Sequence, residues 1–474
     1  LEGIFFKFTP TFLLYIVSVN LNENGFYAYC KSICFIYTAN MEPIYSLLLG
    51  AGNRGTHVYA EFARQNPSML KIAAVAEPNT ARREKIRDEH RIPTEFIFTT
   101  WEEAFERLPP QLDAVMIATQ DKMHLEPIMA AMERKLHILC EKPIVPSLAE
   151  CRAIERASAG YDKVFMIAHV LKYTAFFSKI QELLQSGKIG KLIGIDLIEH
   201  VGHIHHSHSF VRGNWRNSAE SSPMILAKSC HDMDILYWLA GSPCESLSSN
   251  GGLYYFKKEN APADAPKRCL EGCPNMIECP YYAPKIYLCA NIGWPVNVIT
   301  TDLSMEGRLA ALETGAYGRC VFHCDNDVVD HQTVSMRFAN GVMANFTMSA
   351  FSAEIHRSIK LFGTAGEICG DMEENTIQLK EFTTGNTELI EPGKTAGGHS
   401  GGDRHLITDF ACMVRDGSGS QNPIGKGRNM IRNSFESHYM AFAAEQSRLE
   451  GARTIWLAEF KRNAGTESDG AASM

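Results

Sequence analysis

The stretch that most constrains this chain is Gly50-Ala51-Gly52-Asn53-Arg54-Gly55. It follows directly on Ile44-Tyr45-Ser46-Leu47-Leu48-Leu49, an apolar run of buried-strand type, and leads into a helical run from His57 to Arg64. A G-x-G-x-x-G turn between strand and helix is the pattern of a dinucleotide cradle. Gly50 allows the tight turn, Gly52 lets the backbone approach a pyrophosphate, and Gly55 lets helix and strand pack closely. The amino end of the helix, with Asn53 and Arg54 in its turn, offers unpaired N–H groups and partial positive charge to phosphates. Taken alone, such a hexapeptide is also an ordinary glycine turn.

The next segments give the turn its setting. Lys71-Ile72-Ala73-Ala74-Val75-Ala76 reads as a second buried strand, closed by Glu77-Pro78-Asn79. A carboxylate at Glu77 suits the ribose diol of NAD and repels the 2′-phosphate of NADP. Arg82 and Arg83 would pair with that phosphate, so NADP stays possible. Strands are expected at Leu112 to Thr119, Leu136 to Cys140 and Lys163 to His169, with a helix from Leu125 to Arg134. Alternation at this spacing implies a parallel, doubly wound sheet, whose ligands lie beyond the carboxyl ends of its strands. Gly50–Gly55, Glu77, Thr119 and Glu141-Lys142-Pro143 all fall at such ends and so should ring one crevice.

Four features in order resemble the glucose–fructose oxidoreductase / inositol dehydrogenase / rhizopine-catabolism (Gfo/Idh/MocA) family. They are the glycine loop, Ala118-Thr119 with His124, Glu141-Lys142-Pro143, and His231-Asp232-Met233-Asp234 before Trp238. The resemblance covers most of residues 44–450. It implies an α/β protein, with an N-terminal Rossmann domain of doubly wound parallel sheet and a C-terminal α+β domain built on a large, open, mainly antiparallel sheet. It also implies NAD- or NADP-dependent oxidation or reduction of hydroxyls on sugars, cyclitols and related compounds, and a homo-oligomer formed through the C-terminal sheet. The expected layout is an N-terminal extension over 1–40 outside the functional fold and a dinucleotide-binding domain over 41–165. A substrate and oligomerisation domain over 166–462 carries a Cys/Pro-rich insertion at 255–300, and a frayed tail spans 463–474.

In the C-terminal half, a strand-rich region starts at Leu192 to Val201. Further strands are expected at Thr333 to Phe338, Val342 to Ser349, Ser358 to Phe362, Glu367 to Cys369 and Thr376 to Glu381, and helices at Phe176 to Leu184, Arg404 to Arg415 and Met430 to Leu449. Gly397 to Arg404 reads as a flexible glycine-rich loop closing on substrate.

Hydride transfer from a carbinol carbon needs a base for the hydroxyl proton and a donor near the developing carbonyl oxygen. The resemblance assigns these duties to His231 and Lys142. Glu141, Lys142, Thr119 and His124 join the glycine loop and Glu77 as cofactor residues. Many family members carry Asp four residues before this His; here Ala227 stands there, and Lys228 lies one helical turn before His231. A cation beside an imidazole lowers its pKa, so Lys228 would poise a neutral base or mark an anionic substrate group. For substrate, Trp215 offers a ring face, Arg212 and Arg216 offer guanidinium forks, and Asp234 joins them.

Two clusters invite a metal reading. His200, His203, His205, His206 and His208 crowd one stretch, without matching carboxylate or Cys spacing, and read better as a polar loop over the cleft. Cys269, Cys273, Cys279 and Cys289 fit no zinc-knuckle spacing well, and read as reduced thiols or as a metal staple.

Composition narrows the classes that remain. The 474 residues suggest two or three domains at roughly 150 each. Lys plus Arg is 46 and Asp plus Glu 54, and this net charge of −8 argues against nucleic-acid binding. Fourteen scattered cysteines suit free thiols in a reducing cytoplasm. No run of about 20 apolar residues suggests a membrane span. The leading expectation is an NAD-dependent oxidoreductase acting on a sugar, glycoside or cyclitol hydroxyl. The alternatives are glycoside cleavage through transient ring oxidation by bound NAD, and a nucleotide-bound sensor without turnover.

Overall fold

A computed structural model of the chain describes residues 42–393, 398–415 and 431–463. The expected N-terminal extension, nearly all of the polar tail and Gly397 lie outside the described residues. Six strands, β1 (Ile44–Leu49), β2 (Leu70–Ala76), β3 (Ile97–Phe98), β4 (Ala114–Ile117), β5 (His137–Cys140) and β6 (Phe165–Ile167), form one parallel sheet in the order β3-β2-β1-β4-β5-β6. All four residues of β4 are buried, as a sheet covered on both faces requires. The order reverses at β1, so the crevice opens where the chain leaves β1 and β4 at their carboxyl ends.

The second sheet runs β14-β13-β12-β11-β7-β10-β9-β8-β15. Its strands are β7 (Leu192–His200), β8 (Cys244–Gly252), β9 (His331–Phe338), β10 (Met343–Ser349), β11 (His356–Gly363), β12 (Gly366–Asp371), β13 (Thr376–Glu381), β14 (Thr387–Ile390) and β15 (Ile455–Trp456). Every pairing is antiparallel except β7 with β10. β9 alternates strictly, with Gln332, Val334, Met336 and Phe338 buried and their neighbours exposed. Period 2 on one covered face fixes the register. The helices Cys230–Ala240 and Ile431–Leu449 pack against this sheet and share one core with it. The opposite face leaves Met343 and Leu389 more than half exposed.

Between β8 and β9, residues 253–330 form a satellite without strands, longer than the expected 255–300 insertion. Short helices, Ala283–Tyr287, Val296–Ile299 and Met305–Thr314, surround two small apolar clusters around Phe256 and Tyr287. Arg212 ties this insertion down. Its fully buried guanidinium donates to the carbonyls of Arg319 and Tyr281, both at 2.7 Å. Arg308 does the same for the carbonyls of Tyr287 and Cys289. Arg212 is therefore an internal brace, which corrects the expectation that it grips substrate.

Among the described residues no three His, Cys, Asp or Glu groups are arranged to hold an ion, and Cys269, Cys273, Cys279 and Cys289 form no disulfide. Cys269 accepts from the Ala283 amide, Cys289 turns to the carbonyls of Ile286 and Asn291, and burial pushes the Cys279 thiol up. Cys273 is buried beside them.

Removing Arg212 leaves two buried carbonyls without donors, at about 1–3 kcal/mol each. Arg212→Met is expected to lower the unfolding free energy by about 2–6 kcal/mol and to raise hydrogen exchange selectively in residues 253–330. Unchanged exchange there would refute the brace.

Candidate active site

At the end of β1, Gly50 has φ +86°, and a Cβ on it would lie 2.7 Å from the Ala118 carbonyl oxygen. A Cβ on Gly55 would stand 2.0 Å from the Gly50 carbonyl oxygen. Gly52 differs, since a Cβ there meets nothing within 4 Å. The first and third glycines are demanded by packing within the protein, and the second leaves open space at the mouth of the turn. That space, beside exposed Asn53 and the start of the helical run Gly55–Ala60 and Glu61–Gln65, fits a pyrophosphate. Glu77 closes the cradle. One carboxylate oxygen accepts from the Ala51 amide at 2.7 Å and the other from the Asn79 amide at 2.9 Å, which aims the group across the end of β2. Arg83 donates to the Glu77 carbonyl, so it is engaged with the backbone. These residues fit a dinucleotide.

Several expected cofactor residues do other work. Arg54 bridges Glu141 at 2.6 Å and Asp403 at 2.7 Å, and Tyr59 donates to the same Glu141 oxygen at 2.7 Å. Burial pushes the Glu141 carboxyl up, but Arg54 and Tyr59 outweigh it and hold it below its ordinary value. Glu141 and Arg54 thus tie the parallel sheet to the helix Gly402–Arg415. His124 is fully buried, with its ring nitrogens facing the carbonyls of Pro143, Ile144 and Thr119. It clamps the Lys142 segment from behind, which corrects its expected contact with cofactor. Thr119 stays half-buried at the end of β4, its hydroxyl donating to the Met123 carbonyl.

Lys142 reaches across the crevice, its Nζ donating to the Ala227 carbonyl at 2.7 Å. Ile144 is held by its amide donating to His438 at 2.8 Å. The helix that carries His231 starts only at Cys230. Met224–Ala227 is one turn, Lys228 and Ser229 lie at the break, and Cys230–Ala240 follows. His231 therefore sits in the first turn of a helix, its ring edge-on to that of His169 at 5.6 Å between centroids. His169 packs in turn on His438. Burial, followed by Lys172, holds His169 well below the usual imidazole range; burial and His169 bring His438 down to about 3.

Beneath His231 lies an ion network of which residue pattern alone gave only part. Lys228 pairs with Glu199 at 3.1 Å, and Arg357 pairs with Glu199 at 2.5 Å and Asp232 at 2.7 Å. Burial lifts Asp232 to about 6 against the pull of Arg357, while Arg357 and Lys228 keep Glu199 low despite its burial. Burial pulls Lys228 down, with Glu199 opposing. Asp234 is buried in a 2.7 Å pair with Lys172, so it supports the helix instead of meeting substrate. Trp215 donates to Asp121 at 3.2 Å, and Ser221 and Ser222 donate to the same carboxylate. Arg216 pairs with Asp325 and Glu220 at the rim.

The histidine stretch is a helix, His203–His206, running into the turn Ser207–Arg212, and not the expected polar loop. His206 stacks between Phe210 and Phe256, and His208 shares a hydrogen bond with the Tyr287 hydroxyl at 2.8 Å. His200 stacks on His356 at 3.9 Å, on strands β7 and β11.

The glycines separate by experiment. Gly55→Ala is expected to cost roughly 2–3 kcal/mol of stability through overpacking. Gly52→Ala should change stability by less than about 0.5 kcal/mol and weaken NAD binding at least about tenfold. Denaturation and calorimetric titration check both; full NAD affinity in Gly52→Ala would move the cradle elsewhere.

Comparison with known proteins agrees with this geometry. Residues 44–169 match the oxidoreductase family with an NAD-binding Rossmann fold, and residues 181–432 match its C-terminal alpha/beta domain. The Bacillus subtilis protein YteT is 25% identical over 319 residues, 63% of this chain and 72% of the relative. The 2,7-anhydro-N-acetylneuraminate hydratase of Escherichia coli is 27% identical over 141 residues, and the match spans 30% of this chain and 37% of that one. For the inositol 2-dehydrogenase of Corynebacterium glutamicum the identity is 27% over 206 residues, 42% of this chain and 55% of the relative. Levoglucosan dehydrogenase, solved with NADH and levoglucosan, superposes with a TM-score of 0.63 at 15% identity, over 88% of this chain and 100% of that one. Among the described residues no helix is long and apolar enough to cross a membrane. With both of its domains matched in order and both sheets in place, this chain belongs to the Gfo/Idh/MocA oxidoreductase family, whose N-terminal domain binds NAD.

Proposed function

We propose that this protein transfers a hydride between NAD and a secondary hydroxyl of a sugar, glycoside or cyclitol. The observation that carries the reading is the approach of the Lys142 ammonium, from the end of β5, to the Ala227–His231 segment of the other domain. Bound NAD supplies the hydride acceptor; the chain supplies everything else. The Gly50–Gly55 turn and Glu77 hold the dinucleotide at the carboxyl ends of β1 and β2. His231 takes the hydroxyl proton, as imidazole is suited to do near neutral pH. Lys142 donates to the same oxygen and steadies it as the carbonyl develops. Lys228, fixed by Glu199, adds a second ammonium to the wall.

A second reading is favoured by one finding. A relative matched over 30% of the chain is named a hydratase, an activity without net redox change. With bound NAD as hydride acceptor and donor, the same groups would serve transient oxidation of a ring carbon, elimination of a glycosidic substituent, addition of water in its place and return of the hydride. Accumulation of NADH separates the two: net oxidation yields it in proportion to product, and the transient cycle does not. Exposed Met343 and Leu389 on the open sheet support a homo-oligomer formed through that face, and the free cysteines suit a reducing compartment.

General acid–base groups are typically worth about 10²–10⁴ in rate. His231→Ala and Lys142→Ala are each expected to lose activity on that scale with the NAD dissociation constant nearly unchanged, measured by steady-state kinetics and calorimetry. Retained turnover in His231→Ala would shift the base to Lys142 or Lys228. Glu77→Ser should narrow the preference for NAD over NADP; tighter binding of NADP by the wild type would overturn the role given to its charge.

A further inference from the structure

The crevice wall around Lys142 is rich in donors and short of acceptors. A neutral sugar is held largely by carboxylates and amide oxygens that accept from its hydroxyls, whereas a carboxylate ligand needs donors. Five carboxylates lie in or behind this wall, and each is engaged: Glu141 by Arg54 and Tyr59, Glu199 by Lys228 and Arg357, Asp232 by Arg357, Asp234 by Lys172, and Asp121 by Trp215, Ser221 and Ser222. Position 227 is Ala, so no carboxylate precedes His231 by one turn.

The donors are differently placed. Each lysine ammonium has three N–H groups. That of Lys142 meets the Ala227 carbonyl. That of Lys228 meets Glu199, and the Lys228 side chain is 14% exposed. His205 comes from the helix above. Its Nδ1 is buried and has no hydrogen-bond partner among the described residues, and its ring stands edge-on to Trp294 at 5.1 Å. Burial, then Lys228, keeps His205 well below the usual imidazole range, so it is neutral and offers one N–H. A buried nitrogen without a partner is costly and marks a place for a ligand atom.

We propose that the substrate of this site carries a carboxylate beside its reacting hydroxyl, bound between the Lys228 ammonium and the His205 imidazole, and is therefore a sugar acid or uronic acid derivative. The proposal rests on the reading of Lys142 and His231 as the reacting pair, and deepens it. Those two groups face the hydroxyl, Lys228 and His205 fix the acid, and Trp294 walls the ring. Lys228 acts in this account as a specificity residue.

The test is equilibrium binding to the NADH-loaded enzyme, read by nicotinamide fluorescence. The probes are matched pairs, D-glucuronate with D-glucose and D-galacturonate with D-galactose. In at least one pair the acid should bind at least tenfold tighter than the neutral sugar. Lys228→Gln should cut that ratio about tenfold, and Lys228→Arg should restore most of it. Equal or tighter binding of both neutral sugars, no binding of either acid, or an unchanged ratio in Lys228→Gln would each overturn the proposal. Its failure is separable from that of the proposed function. Turnover of neutral sugars that depends on His231 would defeat the anionic substrate alone; preference for acids with full turnover in His231→Ala would defeat the reacting pair alone.

Discussion

The site depends on one guanidinium. Arg357 lies on β11 directly opposite Glu199 on β7, and it also holds Asp232, the residue after His231. A single buried cation thereby joins two strands of the open sheet to the helix that carries the proposed base. Isolated buried charges are expensive, and breaking such a group by removing one partner typically costs about 3–5 kcal/mol. The arrangement persists because each member is paired. Its by-product is positional: Glu199 is left with a second oxygen aimed at Lys228, so the same tie orients His231 and the neighbouring ammonium.

A second group of contacts sets the two sheets around the crevice. Arg54 links the glycine turn to Glu141 and Asp403, Lys142 crosses to the Ala227 carbonyl, Ile144 is capped by His438, and Trp215 reaches Asp121. All of these sit at strand ends of the parallel sheet, where a ligand would also sit. Contacts that shape the crevice therefore use residue types that would serve a cofactor equally well. Sequence position alone could not divide Glu141, Arg54 and His124 from the residues left facing the cradle.

That division explains what was legible. Glycine spacing and apolar runs located β1, β2, β4 and β5 and their carboxyl ends, because a sheet buried on both faces needs continuous apolar strands. The alternating strands β9 to β13 were legible through their period of 2. Strand β8 was not: Cys244–Gly252 is rich in Ser and Gly, and it is a strand because β9 and the helix Ile431–Leu449 hold it there. Arg212 read as a substrate guanidinium because its partners are backbone carbonyls more than 60 residues away in the chain. A signal for the ion network was present but unread. Glu199 follows Ile195 and Leu197 in the buried phase of β7, and Arg357 precedes Ile359 and Leu361 in that of β11. A charge in the apolar phase of a strand implies a buried partner.

The central claim is that the groups gathered at the strand ends serve hydride transfer between NAD and a carbinol carbon. The most direct measurement follows the hydrogen itself. The NAD-loaded protein is mixed with sugars, sugar acids and cyclitols deuterated at their ring carbons, and the cofactor is recovered after a single turnover for mass spectrometry. The account predicts deuterium on the nicotinamide ring of the NADH that forms with the substrate that is oxidised. Consumption of that substrate with the label retained on carbon, or lost only to water, would contradict it.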